Sequence, residues 1–305
     1  MFTFLIVFIV VLLLIHVAVK EYIGYNRRKR SLKGRIVLMT GAANGLGKDI
    51  CLAFAREQCD IICVDIDEKG NKDTVKQCKQ ISDRIRVVDY TCDITDPENV
   101  RELSKKIYEE FDHVDILYNN AGVAYPAKIT ALTDEHIKRL INVNLVSHFW
   151  TIRTFLPKMI ERKRGLIVAT ASIAGRLGVD CLVPYCASKF AVTGLMDSLK
   201  NELNIEGCKV RTLTVHPGFM ATQLLPKNLR NPGITWLKPY KPLHIVTTKD
   251  TANEIITAIK EGKTRLYYPY YNIIAINFLK YCLPQFIGDW IMCSVLTLGE
   301  HLDPL

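Results

Sequence analysis

The chain has 305 residues, 49% apolar and 23% charged, which supplies one sizeable packed core and excludes a disordered chain. Its 17 glycines and 12 prolines are ordinary counts and no fixed-period repeat is visible, so collagen-like, low-complexity and solenoid architectures are excluded. Six of the nine net positive charges fall between Lys20 and Arg35, where seven basic residues face Glu21 alone, so the basicity is a local tag; a nucleic-acid partner is not expected.

Phe2 to Val19 is an 18-residue run with only Thr3 and His16 as polar interruptions. As a helix it would reach about 27 Å, close to the hydrocarbon thickness of a bilayer. The basic cluster follows the run, so a cleavable signal peptide fits poorly and the positive-inside rule places the following chain in the cytosol. We therefore expect a membrane anchor over residues 1–19, a true span or a monotopic insertion, and a basic linker over 20–33. The expected location is the endoplasmic reticulum membrane with the rest of the chain facing the cytosol, or a lipid droplet.

From Gly34 onward, short apolar runs alternate with amphipathic ones. Strands are expected at Arg35–Thr40, Asp60–Asp65, Arg84–Asp89, Val114–Tyr118, Leu166–Thr170, Val210–Val215 and Arg265–Tyr268. Helices are expected from about Gly45 to Glu57, Lys69 to Gln80 and Pro97 to Phe111. Strands alternating with helices, and apolar throughout, predict a parallel sheet buried on both faces. The segment from Thr222 to Thr248 holds Pro226, Pro232, Pro239 and Pro242 and reads as a loop-rich insertion over the strand ends. The apolar stretch from Ile273 to Leu298 is interrupted by Lys280, Pro284 and Asp289, which suits a lid or an amphipathic membrane-surface helix better than a span; residues 271–305 are set apart as a C-terminal extension. The ten cysteines form no C-x-x-C pair and no metal ligand set, so no metal is expected and the thiols suit a reducing compartment.

The first strand runs into Thr40-Gly41-Ala42-Ala43-Asn44-Gly45-Leu46-Gly47, a glycine-rich turn opening a helix. Glycines let backbone approach a pyrophosphate, and the helix start supplies free N–H groups. Asp65 ends the second strand 24 residues after Gly41, where a carboxylate accepts from ribose hydroxyls and repels a 2′-phosphate; NAD is favoured over NADP. Asp93 is a candidate for the adenine edge and equally a turn residue. Tyr185 and Lys189 are four apart, hence on one helix face. They follow Ser172, just past the fifth strand, while Asn119-Asn120-Ala121-Gly122 lies just past the fourth. Ligands in such sheets bind at that carboxyl edge.

These residues, with Asn144 and Pro217-Gly218, resemble the short-chain dehydrogenase/reductase family over about Gly34 to Tyr268, and most of all its membrane-anchored retinol dehydrogenase and 17-beta-hydroxysteroid dehydrogenase subgroup. The resemblance implies a doubly wound, Rossmann-type parallel α/β sheet in a single domain (residues 34–270, with a substrate loop at 222–248) behind the N-terminal membrane anchor. It implies that Tyr185 is the general acid/base and Lys189 lowers its pKa and holds the nicotinamide ribose. Ser172 holds the substrate oxygen and Asn144 a proton-relaying water, while hydride passes between substrate and nicotinamide. Cofactor contacts are expected from Gly41, Asn44, Gly45, Leu46, Gly47, Asp65, Asp93, Asn119, Gly122, Tyr185, Lys189, Pro217, Gly218 and Thr222. Met220 departs from the family's usual β-branched residue near the carboxamide; Thr222 keeps the pattern. His216, beside Pro217, reads as structural.

The expected activity is oxidation or reduction of a lipophilic alcohol or ketone, such as a retinoid, steroid or long-chain lipid, by a homodimer. The alternatives are an NADPH-dependent reductase of 3-ketoacyl or sphingoid substrates, which Asp65 argues against, and a non-catalytic lipid-droplet scaffold, which has no need of Ser172, Tyr185 and Lys189 together.

Overall fold

The computed structural model describes residues 30–220, 222, 233–237, 241–284 and 286–287. The order is β1 (Ile36–Thr40), α1 (Gly45–Arg56), β2 (Asp60–Asp65), α2 (Glu68–Ile81), β3 (Val87–Thr91), α3 (Pro97–Glu110), β4 (Ile116–Asn119), α4 (Asp134–Ile141), a π-helical turn (Asn142–Val146), α5 (Ser147–Glu161), β5 (Leu166–Thr170), α6 (Val183–Ile205), β6 (Arg211–Pro217), β7 (Gly233–Leu237), β8 (Lys241–Ile245), α7 (Thr248–Glu261), β9 (Arg265–Tyr268) and α8 (Tyr270–Tyr281).

Seven strands form one parallel sheet in the order β3-β2-β1-β4-β5-β6-β9. The chain winds outward from β1 to β3, then returns to start β4 on the other side of β1. That reversal opens a crevice at the carboxyl ends of β1 and β4, where such sheets bind ligands. Side chains alternate across the sheet. Val37 and Met39 of β1 join Leu46, Ile50 and Phe54 of α1, Val75 of α2 and Ile255 and Ile259 of α7 in one core. Ile36 and Leu38 point the other way, into a core with Leu103 and Ile107 of α3, Phe155 of α5 and Val192 of α6. Burial on both faces is why these strands read as unbroken apolar runs.

Two expectations are corrected. The third strand is Val87–Thr91 instead of Arg84–Asp89. Asp60 accepts the Arg86 backbone N–H at 2.8 Å, and Ile85 turns into the core, so pairing starts only at Ile61–Val87. The segment around Thr222 to Thr248 is not all loop: β7 and β8 pair as an antiparallel hairpin outside the main sheet. A two-stranded ribbon uses one edge of each strand, which leaves room for Pro242.

The described part of the apolar C-terminal stretch includes α8, with Ile273 and Ile276 buried and Ile274, Phe278 and Tyr281 exposed. Among the described residues no helix is long and apolar enough to cross a membrane. The apolar run of residues 2–19 and the chain from 288 onward lie outside those residues. The nine described cysteines are free thiols, and no cluster that could hold a metal occurs among the described residues.

Candidate active site

The carboxyl edge of the sheet holds a cleft of about 920 Å³. At one end β1 turns sharply into α1. Gly41 has φ +70°, and a Cβ there would stand 2.7 Å from Ala121 Cα; a Cβ on Gly47 would stand 1.9 Å from the Gly41 carbonyl oxygen. The turn therefore closes only with glycine at both positions. Asn44 precedes the first turn of α1 in extended conformation without a side-chain cap, so the helix start keeps donors for an anion. Asp65 sits across from this turn: its two oxygens accept the Ala43 N–H at 2.9 Å and the Asp67 N–H at 3.0 Å. Both bonds fix the carboxylate and leave lone pairs for further donors. Asp93 lines the cleft and also accepts the N–H and hydroxyl of Thr95 at 2.9 and 2.7 Å, so it is a turn residue facing the site.

The middle of the floor is stitched by residues outside the expected set. The Thr40 hydroxyl accepts the N–H groups of Asn120 and Ala121 at 3.0 and 3.2 Å. The Asn120 amide donates to the carbonyls of Thr40 and Gly41, and its oxygen accepts the Thr170 hydroxyl at 3.2 Å. Asn120 thus ties the ends of β1, β4 and β5 together. Asn119 is not brought to the cleft wall: it is 1% exposed and its oxygen accepts the Thr151 hydroxyl at 2.9 Å. Successive residues of a strand point to opposite faces, so one of the two asparagines had to face away.

At the other end Ser172, Tyr185 and Lys189 converge. Ser172 follows β5, and its Oγ accepts the Ala174 N–H at 3.1 Å, which fixes the hydroxyl. Tyr185 and Lys189 occupy the first turns of α6. Lys189 is 2% exposed, donates to the Thr170 carbonyl at 2.9 Å and lies 5.6 Å from the Tyr185 ring centroid. Burial drives Lys189 down to about 8. Burial also drives Tyr185 up to about 12, with a hydrogen bond from Ser172 pulling the other way. Both groups are held toward their neutral forms.

Asn144 lies in the π turn, fully buried behind the wall. Its amide pairs both ways with Val123, accepting the N–H at 2.8 Å and donating to the carbonyl at 2.9 Å. Those two bonds pin the Gly122-Val123 loop, and a Cβ at Gly122 would make ordinary contact with Asn144 Oδ1 at 3.4 Å and Lys189 Nζ at 3.6 Å. π turns inside helices are frequent at functional sites, and no periodicity in the sequence announces one. His216 is buried and stacked on Tyr267, and its Nδ1 is 3.1 Å from the Ser172 carbonyl oxygen. Burial first, against that hydrogen bond, takes it down to about 4, so the neutral ring donates through Nδ1–H. Pro217, Gly218, Met220 and Thr222 complete the rim. Gly218 donates to the Tyr268 carbonyl at 2.7 Å, and Met220 bridges to Val246. Tyr185 and Phe219 pack against an apolar cluster that includes Ile245 and Ile276.

Residues 35–232 match the family model for short chain dehydrogenase. The chain belongs to that family. It is 35% identical to short-chain dehydrogenase/reductase family 16C member 6 of Bos taurus over 90% of this chain and 83% of that one. It is 34% identical to epidermal retinol dehydrogenase 2 of Homo sapiens, over 86% and 84%, and 32% identical to 17-beta-hydroxysteroid dehydrogenase 13 of Homo sapiens, over 85% and 82%. Within the family it groups with these retinol and 17-beta-hydroxysteroid dehydrogenases. The fold matches that of a Burkholderia phymatum short-chain dehydrogenase/reductase in complex with NAD, with TM-score 0.71 over 90% of this chain and 99% of that one at 22% identity. It also matches a metagenomic short-chain oxidoreductase in complex with NADP, with TM-score 0.64 over 78% and 97% at 23% identity. The protein is a nicotinamide-dependent oxidoreductase acting on CH–OH groups, and the glycine cradle, open helix start and Asp65 fit the dinucleotide.

Proposed function

We propose that this dehydrogenase interconverts a lipophilic alcohol and its carbonyl, of the retinoid or steroid class, with NAD(H) in preference to NADP(H), at a membrane surface. The observation that carries the reaction is the convergence of Ser172, Tyr185 and Lys189 at one end of a cleft whose other end holds Asp65. Asp65 supports NAD, because a 2′-phosphate beside it meets a fixed negative charge. The names of the relatives, together with the apolar lining from Val123, Val143 and Met220, support a retinoid or steroid.

A bound nicotinamide would supply or accept the hydride, and its oxidised form would carry a positive charge. Lys189 and Tyr185 would hold its ribose, the rims at Gly122 and Pro217 to Thr222 its ring, and the Gly41–Gly47 turn its pyrophosphate. In the reducing direction the neutral Tyr185 phenol delivers its proton to the substrate oxygen, which Ser172 Oγ holds. In the oxidising direction Tyr185 takes the alcohol proton, and the Lys189 ammonium stabilises the phenolate. Asn144 acts by holding the Gly122-Val123 loop beside Lys189 through its two hydrogen bonds to Val123.

The anchor over residues 1–19, the linker over 20–33 and the extension over 271–305 complete the reading. The anchor holds the domain on the cytosolic face of the endoplasmic reticulum or on a lipid droplet, and α8 with its exposed Ile274 and Phe278 lies toward substrate or membrane. Exposed Phe149 and Ile160 on α5 support a homodimer.

Tyr185→Phe tests the mechanism. Turnover of retinoid and steroid alcohols with NAD should fall 10²–10⁴-fold, the range for lost acid/base catalysis, while NAD binding holds. A variant retaining more than about a hundredth of the wild-type rate removes Tyr185 from the role. Alkaline carbonate extraction and protease protection of microsomes test the anchor: washed-off or protected protein rejects a cytosol-facing one.

A further inference from the structure

A second concave site lies at the opposite edge of the sheet, where the strands begin. It is a cavity of about 250 Å³ into which three distant stretches bring six cations: Arg30 and Arg35 before β1, Lys163 and Arg164 after α5, Lys209 just before β6 and Arg211 at its first position. Asp115 is the one carboxylate in its wall, and that carboxylate is already divided. It lies 3.4 Å from Arg35, 3.5 Å from Arg162, 3.7 Å from Arg164 and 3.4 Å from His113 Nε2. Arg30, Lys163, Lys209 and Arg211 have no carboxylate partner among the described residues.

The crowding is built in. The Arg30 backbone N–H donates to the Lys260 carbonyl at 2.9 Å, which fixes the chain there. A Cβ on Gly262 would touch both guanidinium groups, at 3.2 Å from Arg30 and 3.3 Å from Arg211. Burial, then repulsion from Arg30 and Arg35, lowers Arg211 from its ordinary value. Lys163 stands in the left-handed conformation, φ 52°, on the turn that closes α5. Like charges gathered in a partly dry pocket repel one another, and an anion relieves them. Guanidinium groups pair with phosphate oxygens through two parallel hydrogen bonds, and ammonium groups add point charges.

We propose that this pocket is an anion site that takes a phosphate or phosphomonoester group, separate from the cofactor cleft. Two sources can present that chemistry. Val19, the end of the apolar run, precedes Arg30 by 11 positions, an extended reach of at most about 40 Å, so the headgroup of a lipid surrounding that run is within range. Free phosphate in solution is the other.

The test uses the full-length protein in neutral detergent micelles with saturating NAD, which fills the glycine turn, and chloride to hold ionic strength constant. The thermal midpoint is followed against inorganic phosphate, and separately against phosphatidic acid mixed into the micelles, with phosphatidylcholine as the blank. At least one phosphate source should raise the midpoint saturably. A rise with inorganic phosphate as well assigns the pocket to free phosphate; a rise with phosphatidic acid alone assigns it to a headgroup. Lys163→Gln/Lys209→Gln, which changes exposed side chains only, should weaken that binding at least tenfold and leave kcat and NAD affinity unchanged. Arg211→Gln, made separately, should weaken it likewise. No rise with either source, or a rise undiminished in both variants, overturns the proposal.

Discussion

The two edges of the sheet solve opposite problems with the same strands. At the carboxyl edge Lys189 is taken almost wholly out of water, with one carbonyl as its partner and no carboxylate among the described residues. At the amino edge one carboxylate, Asp115, is 5% exposed and surrounded by Arg35, His113, Arg162 and Arg164. The first arrangement costs stability and brings the lysine down to about 8. The second offsets its own desolvation and ties the starts of β1 and β4 to the end of α5. The edge to which the chemistry is assigned thus keeps an unpaired buried charge, while the opposite edge pairs its own.

Lys189→Met breaks this contrast most sharply. Turnover should fall at least a hundredfold, because the charge that stabilises the phenolate is gone. Stability should rise. Depression from 10.5 to about 8 means the folded state disfavours the ammonium, by about 3 kcal/mol at neutral pH. Losing the bond to the Thr170 carbonyl gives back about 1 kcal/mol, leaving a gain of about 2 kcal/mol. The wild-type penalty is complete below the folded value of about 8 and fades as pH approaches 10.5, where the unfolded lysine also loses its proton. The advantage of the variant should therefore shrink across that window, as denaturant unfolding at pH 7 and pH 10 would show. A variant less stable than wild type at pH 7 would contradict the account.

Asp65→Ala acts at the other end of the same cleft and is the next largest effect. It removes a ribose acceptor and a charge that repels a 2′-phosphate, so kcat/KM with NAD should drop while that with NADP rises or holds. A change in the NAD-to-NADP ratio of about 10–100-fold is expected, from about 1.4–2.7 kcal/mol of lost discrimination. A wild-type protein that prefers NADP would reject the assignment before any variant is made.

The sequence disclosed the sheet because burial on both faces writes itself as apolar runs, and β2 was legible to the residue. β3 slipped because a side-chain clamp from Asp60 to Arg86 delays pairing, which no run of hydrophobicity encodes. Tyr185 and Lys189 were legible because a spacing of four on a helix is a spatial statement. Asn120 was passed over for its neighbour because the strand's alternation at Asn119 cannot be phased from the motif alone. Asn144 came from the family resemblance alone, and its pairing with Val123 was not legible, since a π turn leaves no periodic trace. The amino-edge pocket was invisible: its three stretches meet only after β1, β5 and β6 are laid side by side.

Asp115→Asn sharpens the comparison with the smallest effect. The amide keeps the shape and retains an oxygen for the Ile36 N–H, which Asp115 accepts at 3.2 Å. What disappears is the charge shared by Arg35, His113, Arg162 and Arg164. Those partners are partly solvated, so water takes up much of the loss, and the cost should be about 1–2 kcal/mol, well under the 3–5 kcal/mol of a fully buried pair. For a domain of this size that lowers the thermal midpoint by roughly 2–8 °C. High salt should narrow the gap to wild type, because screening relieves the cations that the variant leaves facing one another. Turnover and NAD affinity of the folded fraction should be unchanged, since Asp115 is a full strand length from Tyr185. Phosphate, if the pocket takes it, should bind the variant more tightly than wild type, because the one competing carboxylate is gone. Loss of turnover in a variant that remains folded would show that the two edges are not separate, and the division of labour between them would have to be given up.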